Sequence, residues 1–400
     1  MEDAQSKINR GTAPDRSQMI ERAKSMTPKL AARAEDVEKS RIIHPQTVQD
    51  FWDTQLWTVV KPKRYGGLEL DYGVFIDLSD YIARGCASTA WIYGNLISHD
   101  WMLAMWNSVA QDEVWKNNPK ALIASSLVAT AGVAKPVTGG YEISGQWPYC
   151  SGIDVSDWMM MAAMVVQNSS RKPIWMVLPR SSFEEIDTWH VSGLVGTGSR
   201  DVKCEAVFVP EHMTLFPEEA RGGPTPGSTH VPNLLYQLPV LGLFPHILVG
   251  PMIGIAQGAY DDYVGDMRQR ASTYNATKLS QYTQIHMRVA EAGSLIKAAR
   301  LLAHDNIKEA ETIATCNRMP NVTEKIRWRR DGAFAAQNCV KAIQLLQSAI
   351  GAAGNFQSSP FQRRFRDMHA AASQIQVNFD VNGAEFGRVE LGLEAINKLI

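Results

Sequence analysis

No two cysteines in this chain fall in a C-x-x-C spacing. The five, Cys86, Cys150, Cys204, Cys316 and Cys339, are scattered and odd in number, which argues against a disulfide framework and a cysteine zinc site. An excess of one charge is missing too. Forty Lys and Arg stand against 41 Asp and Glu, a formal net charge of -1, so there is neither a basic field for nucleic acid nor an acidic tail. Residues 1–22 are polar with no apolar secretion core, and no run of about 18 apolar residues occurs anywhere. The expectation is a cytoplasmic protein with no membrane partner, no nucleic-acid partner and no metal, acting on a small molecule. Phosphate loops and hydrolase signatures are also absent: there is no Walker loop, H-E-x-x-H or G-x-S-x-G. Gly193-Leu194-Val195-Gly196-Thr197-Gly198 invites a nucleotide-loop reading but lacks the βαβ setting.

What is present divides into three stretches. Residues 1 to about 16 read as disordered, and Met19 to Lys39 then spaces Ile20, Ala23, Met26, Leu30, Ala34 and Val37 as on one helical face. Helical spacing recurs at Val74 to Ile82 and Thr89 to Trp106, so 1–120 is an expected N-terminal helical domain. From Ala121 the pattern changes to short β-rich runs broken by Gly, Pro, Asn and Ser, an expected central β-barrel or sandwich over 121–235. Long helical periods return afterwards and predict a C-terminal helical bundle over 236–400, interrupted at Gly351-Ala352-Ala353-Gly354. The fold class is α+β.

Candidate chemistry gathers at four places. Gly145-Gln146-Trp147-Pro148-Tyr149-Cys150-Ser151-Gly152 joins an indole, a thiol and a hydroxyl to glycine-flanked backbone, a set able to cover a flat ring and bond its polar edge; alone it also reads as a strand entering a turn. Trp91 and Tyr93 lie on the stretch that leads to His99, an aromatic helix suited to lining a pocket, although a lone His on such a face is often a satisfied core residue. Ser125 lies in a β-run. Ser199 and Arg200 follow a glycine-rich turn, and Arg268, Arg270 and the Arg363–Arg366 run are basic patches that fit phosphate or a solvated face.

Taken in order, Gly85 to Gly94 with His99, Gly145 to Gly152, Gly196 to Asp201 with Phe208-Val209-Pro210, and Ser359 to Asp367 resemble the acyl-CoA dehydrogenase fold. More closely, they resemble its oxygen-using branch, the oxygenase components of two-component flavin-dependent monooxygenases. The resemblance implies a subunit of helical domain, β-domain and four-helix bundle, assembled as a homotetramer. It implies reduced flavin, FADH2 or FMNH2, supplied by a separate NAD(P)H-dependent reductase. That flavin reacts with O2 to a C4a-hydroperoxide that oxygenates a small aromatic substrate. It places Ser151 at the flavin N5 edge with Cys150 as the neighbouring alternative, Trp147 over the ring system, and Ser199 and Arg200 nearby. Arg268, Arg270, Gly351 and Gly354 would approach phosphate or adenylate across a subunit boundary. His99 and Ser125 would face the substrate.

One departure bears on the substrate. Members that act on phenols carry a His about eight positions after the Arg of the Arg366-Asp367 pair, and here that register gives Gln374, which is no base. His369 lies five residues earlier, about 500 degrees around a helix, so it projects elsewhere. Indole needs no deprotonation, because its ring nitrogen already makes C3 nucleophilic. The sequence therefore favours oxygenation of indole or a related N-heteroaromatic at C2 or C3. Phenol ortho-hydroxylation, N- or S-oxygenation, acyl-CoA dehydrogenation and a non-enzymatic flavin carrier are the competing readings.

Overall fold

The computed structural model describes residues 13–167, 170–397 and 400. The expected disorder falls mostly on residues 1–12, outside the described residues. Helix α1 (Arg16–Ser40) starts at a reciprocal cap in which Asp15 and Gln18 each accept the other's backbone N–H, and it buries Met19, Ala23, Met26, Leu30, Ala34 and Val37. Helices α2 (Pro45–Asp53), α3 (Val74–Gly85), α4 (Ala87–Leu103) and α5 (Ser108–Trp115) complete the first stretch. α4 is buried along nearly all its length, which is why its sequence is apolar all round rather than on one stripe.

Eight strands follow: β1 (Ile123–Ser126), β2 (Gly132–Val137), β3 (Gly140–Cys150), β4 (Trp158–Gln167), β5 (Ser170–Pro179), β6 (Glu184–Ile186), β7 (Arg200–Pro210) and β8 (Thr214–Leu215). They form one sheet in the order β6-β7-β3-β2-β4-β5-β8, with β1 pairing parallel to β4 beside β2. The β3–β7 ladder is antiparallel, with a register shift between Trp147 and Cys150. That irregularity turns the chain out of the sheet just before Ser151.

The third stretch comprises α6 (Val240–Gln269), α7 (Thr283–Thr315), α8 (Val322–Ile350), α9 (Pro360–Ala372) and α10 (Phe379–Glu390). α6 is long and apolar enough to cross a membrane, but 89% of its most apolar 18-residue window is buried inside the protein, as in the core helix of a bundle. Its glycines explain the burial. A Cβ on Gly254 would lie 2.1 Å from the Asp80 carbonyl oxygen, so only glycine lets α3 lie this close. α6 thereby fastens the first stretch to the bundle, and Tyr72 Oη donating to the Leu243 carbonyl adds a bond across the same seam.

Candidate active site

The turn that leaves β3 separates its side chains sharply. Trp147 is fully buried, donates Nε1–H to the Ala162 carbonyl at 2.6 Å, and occupies the space that a Cβ on Gly132 would need, 2.0 Å from the indole. Trp147 therefore fills the β-domain core and exposes no ring face, which corrects the expectation that it covers a flavin. Cys150 is also fully buried, 3.4 Å from the Trp147 carbonyl, and burial pushes its thiol well above the usual range; it offers no alternative to Ser151 at the surface. Tyr149 between them adopts φ 65° and is 66% exposed. This left-handed step is unusual for a bulky residue and reverses the alternation, bringing Ser151 out to the opposite side.

Ser151 meets the glycine-rich turn at the end of the β3–β7 ladder, where Cys150 pairs with Arg200. Its Oγ is 2.7 Å from Ser199 Oγ, which is 2.7 Å from Thr197 Oγ1, and Thr197 donates to the Leu194 carbonyl at 2.8 Å. The Gly152 N–H donates to the Thr197 carbonyl at 2.9 Å, locking the two turns together. Leu194 sits at φ 51°. Its N–H is held at 2.6 Å by Asp367 Oδ1 from α9, and its carbonyl also receives Trp189 Nε1–H.

Helix α4 runs past this assembly. Ser88, Trp91, Asn95 and His99 recur at helical spacing on one side of it. Near its start, Gly196 has room for no side chain against Val37 and Ser88; further along, Gly152 packs on Ile92 and Leu96. Near its end, fully buried His99 places Nδ1 2.6 Å from the Ile123 carbonyl of β1, two residues from half-buried Ser125. One helix thus passes the 196 turn, the 151 turn and β1 in succession. Trp91 is on this side, whereas Tyr93 is not: it is buried with Phe51 and Trp57 and donates to the Leu56 carbonyl. The expected pocket-lining role of Tyr93 is corrected to a core one.

The Ile123 carbonyl can only accept, so His99 Nδ1 carries the hydrogen and Nε2 is the acceptor. Burial drives the imidazole down to about 4, keeping it neutral, and Nε2 has no hydrogen-bond partner.

The distal candidates separate. His369 turns to α8, with Nδ1 2.8 Å from the Phe365 carbonyl and Nε2 3.2 Å from Gln344 Nε2, so it is not directed at the Ser151 turn. Gln374 uses its side-chain carbonyl to cap the turn that begins at Ile375, accepting from the Gln376 N–H.

Comparison with known proteins supplies the family. Residues 246–379 match the family model described as acyl-CoA dehydrogenase, C-terminal domain. The chain is 30% identical over 387 residues to the FADH2-dependent resorcinol hydroxylase oxygenase component of Rhizobium sp. (strain MTP-10005), covering 94% of each chain. It belongs to the oxygenase components of flavin-dependent aromatic monooxygenases. Two solved structures superpose closely on the oxygenase. The 3-HSA hydroxylase from Rhodococcus sp. RHA1 has a TM-score of 0.92 at 28% identity, with 97% of this chain and 100% of that one covered. XiaF from Streptomyces sp., in complex with FADH2 and glycerol, has a TM-score of 0.88 at 26% identity, with 95% and 96% covered. This chain is accordingly an enzyme, the oxygenase half of a two-component system that acts on aromatic substrates.

Elsewhere on the oxygenase, Arg270 follows the last turn of α6 and donates Nη1–H to the Ile350 carbonyl at 3.1 Å, beside Gly351 at φ 75°. Arg268 is exposed on that same last turn, and Gly354 is buried just after α8. Arg200 is engaged by Glu185 at 3.2 Å and by Asp187 at 3.9 Å. Asp154 was missed by sequence reasoning. It lies three residues after Ser151 with both carboxylate oxygens buried and without partners, and burial raises it to about 6 against the pull of Arg200 and Arg180. Thr197 and the Leu194 carbonyl were missed as well. Their stretch was flagged as glycine-rich, but nothing in a linear string signals that its hydroxyls meet Ser151.

Proposed function

We propose that this oxygenase inserts one atom of dioxygen into indole or a related N-heteroaromatic at C2 or C3. Its flavin is FADH2, delivered by a separate NAD(P)H-dependent reductase. The observation that carries the substrate class is His99: a neutral, buried imidazole whose Nε2 is an unpartnered acceptor. Leaving such an acceptor unmet costs about 1–3 kcal/mol, which a ring N–H donated to it recovers. A group held near 4 takes up no proton at neutral pH, Gln374 is not a base, and His369 is committed to α8. A ring that is nucleophilic without losing a proton suits this set.

The side chains at the β3 turn fit a reduced flavin, whose N5–H needs an acceptor; Ser151 Oγ supplies it and Ser199 supports Ser151. When bound, the flavin activates dioxygen and supplies the oxygen atom. Arg268, Arg270 and the Gly351–Gly354 turn serve its phosphates or adenylate from a neighbouring subunit of a homotetramer, and Arg200 lies beside the ring-binding turn. His99 and Ser125 hold the substrate ring, and closure of the site keeps water from the reacting atoms. The assembly works in the cytoplasm.

The test is product formation with reductase, FAD and NADH. Indole is expected to give an indoxyl-type product that oxidises to indigo, and 1-methylindole, which lacks the N–H, is expected to bind about tenfold or more weakly, the worth of one buried hydrogen bond. Hydroxylation of resorcinol-like phenols with no product from indole overturns the N-heteroaromatic reading. Phenol ortho-hydroxylation is the second reading, favoured by the resorcinol hydroxylase among the relatives; a phenol O–H could donate to the same Nε2.

A further inference from the structure

With each short contact made as a hydrogen bond, the three hydroxyls between Leu194 and Ser151 have one arrangement of protons, ending at a Leu194 carbonyl that also accepts the Thr197 N–H at 3.1 Å and Trp189 Nε1–H at 3.2 Å. A carbonyl oxygen cannot donate, so the 2.8 Å contact from Thr197 Oγ1 to Leu194 O is filled by the Thr197 proton. Thr197 has no second proton, so the 2.7 Å contact to Ser199 is filled from Ser199. Ser199 is then spent, and the 2.7 Å contact to Ser151 is filled from Ser151. The single proton of Ser151 therefore points back into the protein, and its Oγ offers only lone pairs outward. The anchor of the chain is rigid. The Leu194 carbonyl is aimed by a left-handed backbone step, and the Leu194 N–H is tied to Asp367 on α9.

We propose that Thr197 is a positioning residue that, through Ser199, fixes Ser151 as an acceptor and so sets which redox state of the flavin the site holds. The inference rests on the reading that Ser151 meets flavin N5. Reduced flavin carries N5–H, a donor that complements fixed lone pairs. Oxidised flavin has a bare N5 lone pair, so acceptor faces acceptor and binding is weakened. An unconstrained serine would rotate its hydroxyl and serve either state; the hydroxyl chain removes that choice. The oxygenase must take reduced flavin from its reductase and release oxidised flavin, and the buried threonine favours both.

The experiment is anaerobic titration with reduced FAD and aerobic titration with oxidised FAD, giving the ratio of the dissociation constant for oxidised FAD to that for reduced FAD, with thermal melting as a folding control. Thr197→Val keeps the shape and removes the proton. Ser199 can then turn its proton to Ser151, which frees Ser151 to donate to oxidised N5. The ratio is expected to fall about five- to tenfold, the scale of one hydrogen bond, mainly through tighter binding of oxidised FAD. Thr197→Ser keeps the chain and is expected to restore the ratio. Ser199→Ala breaks the chain at its middle and should act as Thr197→Val does, which covers the case that the valine variant misfolds. Ser151→Ala separates the two levels of argument. If it loses affinity for reduced FAD while Thr197→Val and Ser199→Ala keep the wild-type ratio, the positioning role is overturned alone. If Ser151→Ala changes neither affinity, the flavin reading at this turn falls and the inference falls with it.

Discussion

His99 Nδ1 lies 2.6 Å from the Ile123 carbonyl, and this one contact assigns the tautomer of the imidazole that ends the aromatic side of α4. It also ties the helix to β1, the strand that carries Ser125.

The His99 contact predicts a pH signature. The unfolded imidazole takes up a proton near 6.5 and the folded one only near 4, so the unfolded chain binds more protons between those values. Stability is thus fully present above 6.5 and falls as pH drops through the window, by on the order of 3 kcal/mol. In denaturant melts at pH 7 and pH 4.5, His99→Asn should lose less stability than the wild type. An equal loss in both proteins removes His99 as the source.

Asp154 predicts the opposite slope. The folded carboxyl keeps its proton to about 6 and the unfolded one to about 3.8, so its contribution is greatest in acid and is lost as pH rises through 6. Asp154→Asn should make the flavin-free protein more stable than the wild type at pH 7.5, by on the order of 1 kcal/mol after allowance for solvent screening, with no difference near pH 4. A destabilised variant at pH 7.5 would mean that the carboxylate has a stabilising partner.

Trp147 distinguishes a core role from a site role. Trp147→Ala should cost about 3–5 kcal/mol, as large core truncations do, because it empties the space beside Gly132 and strands the Ala162 carbonyl. Ser151→Ala, at the end of the same turn, should melt within a degree or two of the wild type. Denaturant titration of the two variants side by side checks this, and similar melting of both contradicts the packing described for the indole.

Asp367 should matter through Leu194. Asp367→Ala leaves the Leu194 N–H without its acceptor, at a cost of about 1–3 kcal/mol, whereas Asp367→Asn keeps an acceptor oxygen at the same position and should be mild. Amide hydrogen exchange at Leu194 gives a local readout: faster exchange in the alanine variant alone is the expected result.

The order of helices, strands and bundle was legible in the sequence because apolar spacing is a local property. The α1 face from Met19 to Val37 was read residue by residue, and the chain order of four short motifs was enough to suggest the family. Side-chain direction at the site was not legible. Whether Trp147 looks outward or into the core depends on one left-handed residue, Tyr149, and on the absence of a side chain at Gly132 on another strand. The tautomer of His99 depends on a carbonyl 24 residues away, and the polarity of the Ser151 hydroxyl on Thr197 and Leu194 more than 40 residues away. Periodicity and composition record what each residue prefers among its neighbours in the chain. Which lone pair or proton faces the site is settled only where distant segments meet at hydrogen-bond distance, and that is a property of the tertiary structure.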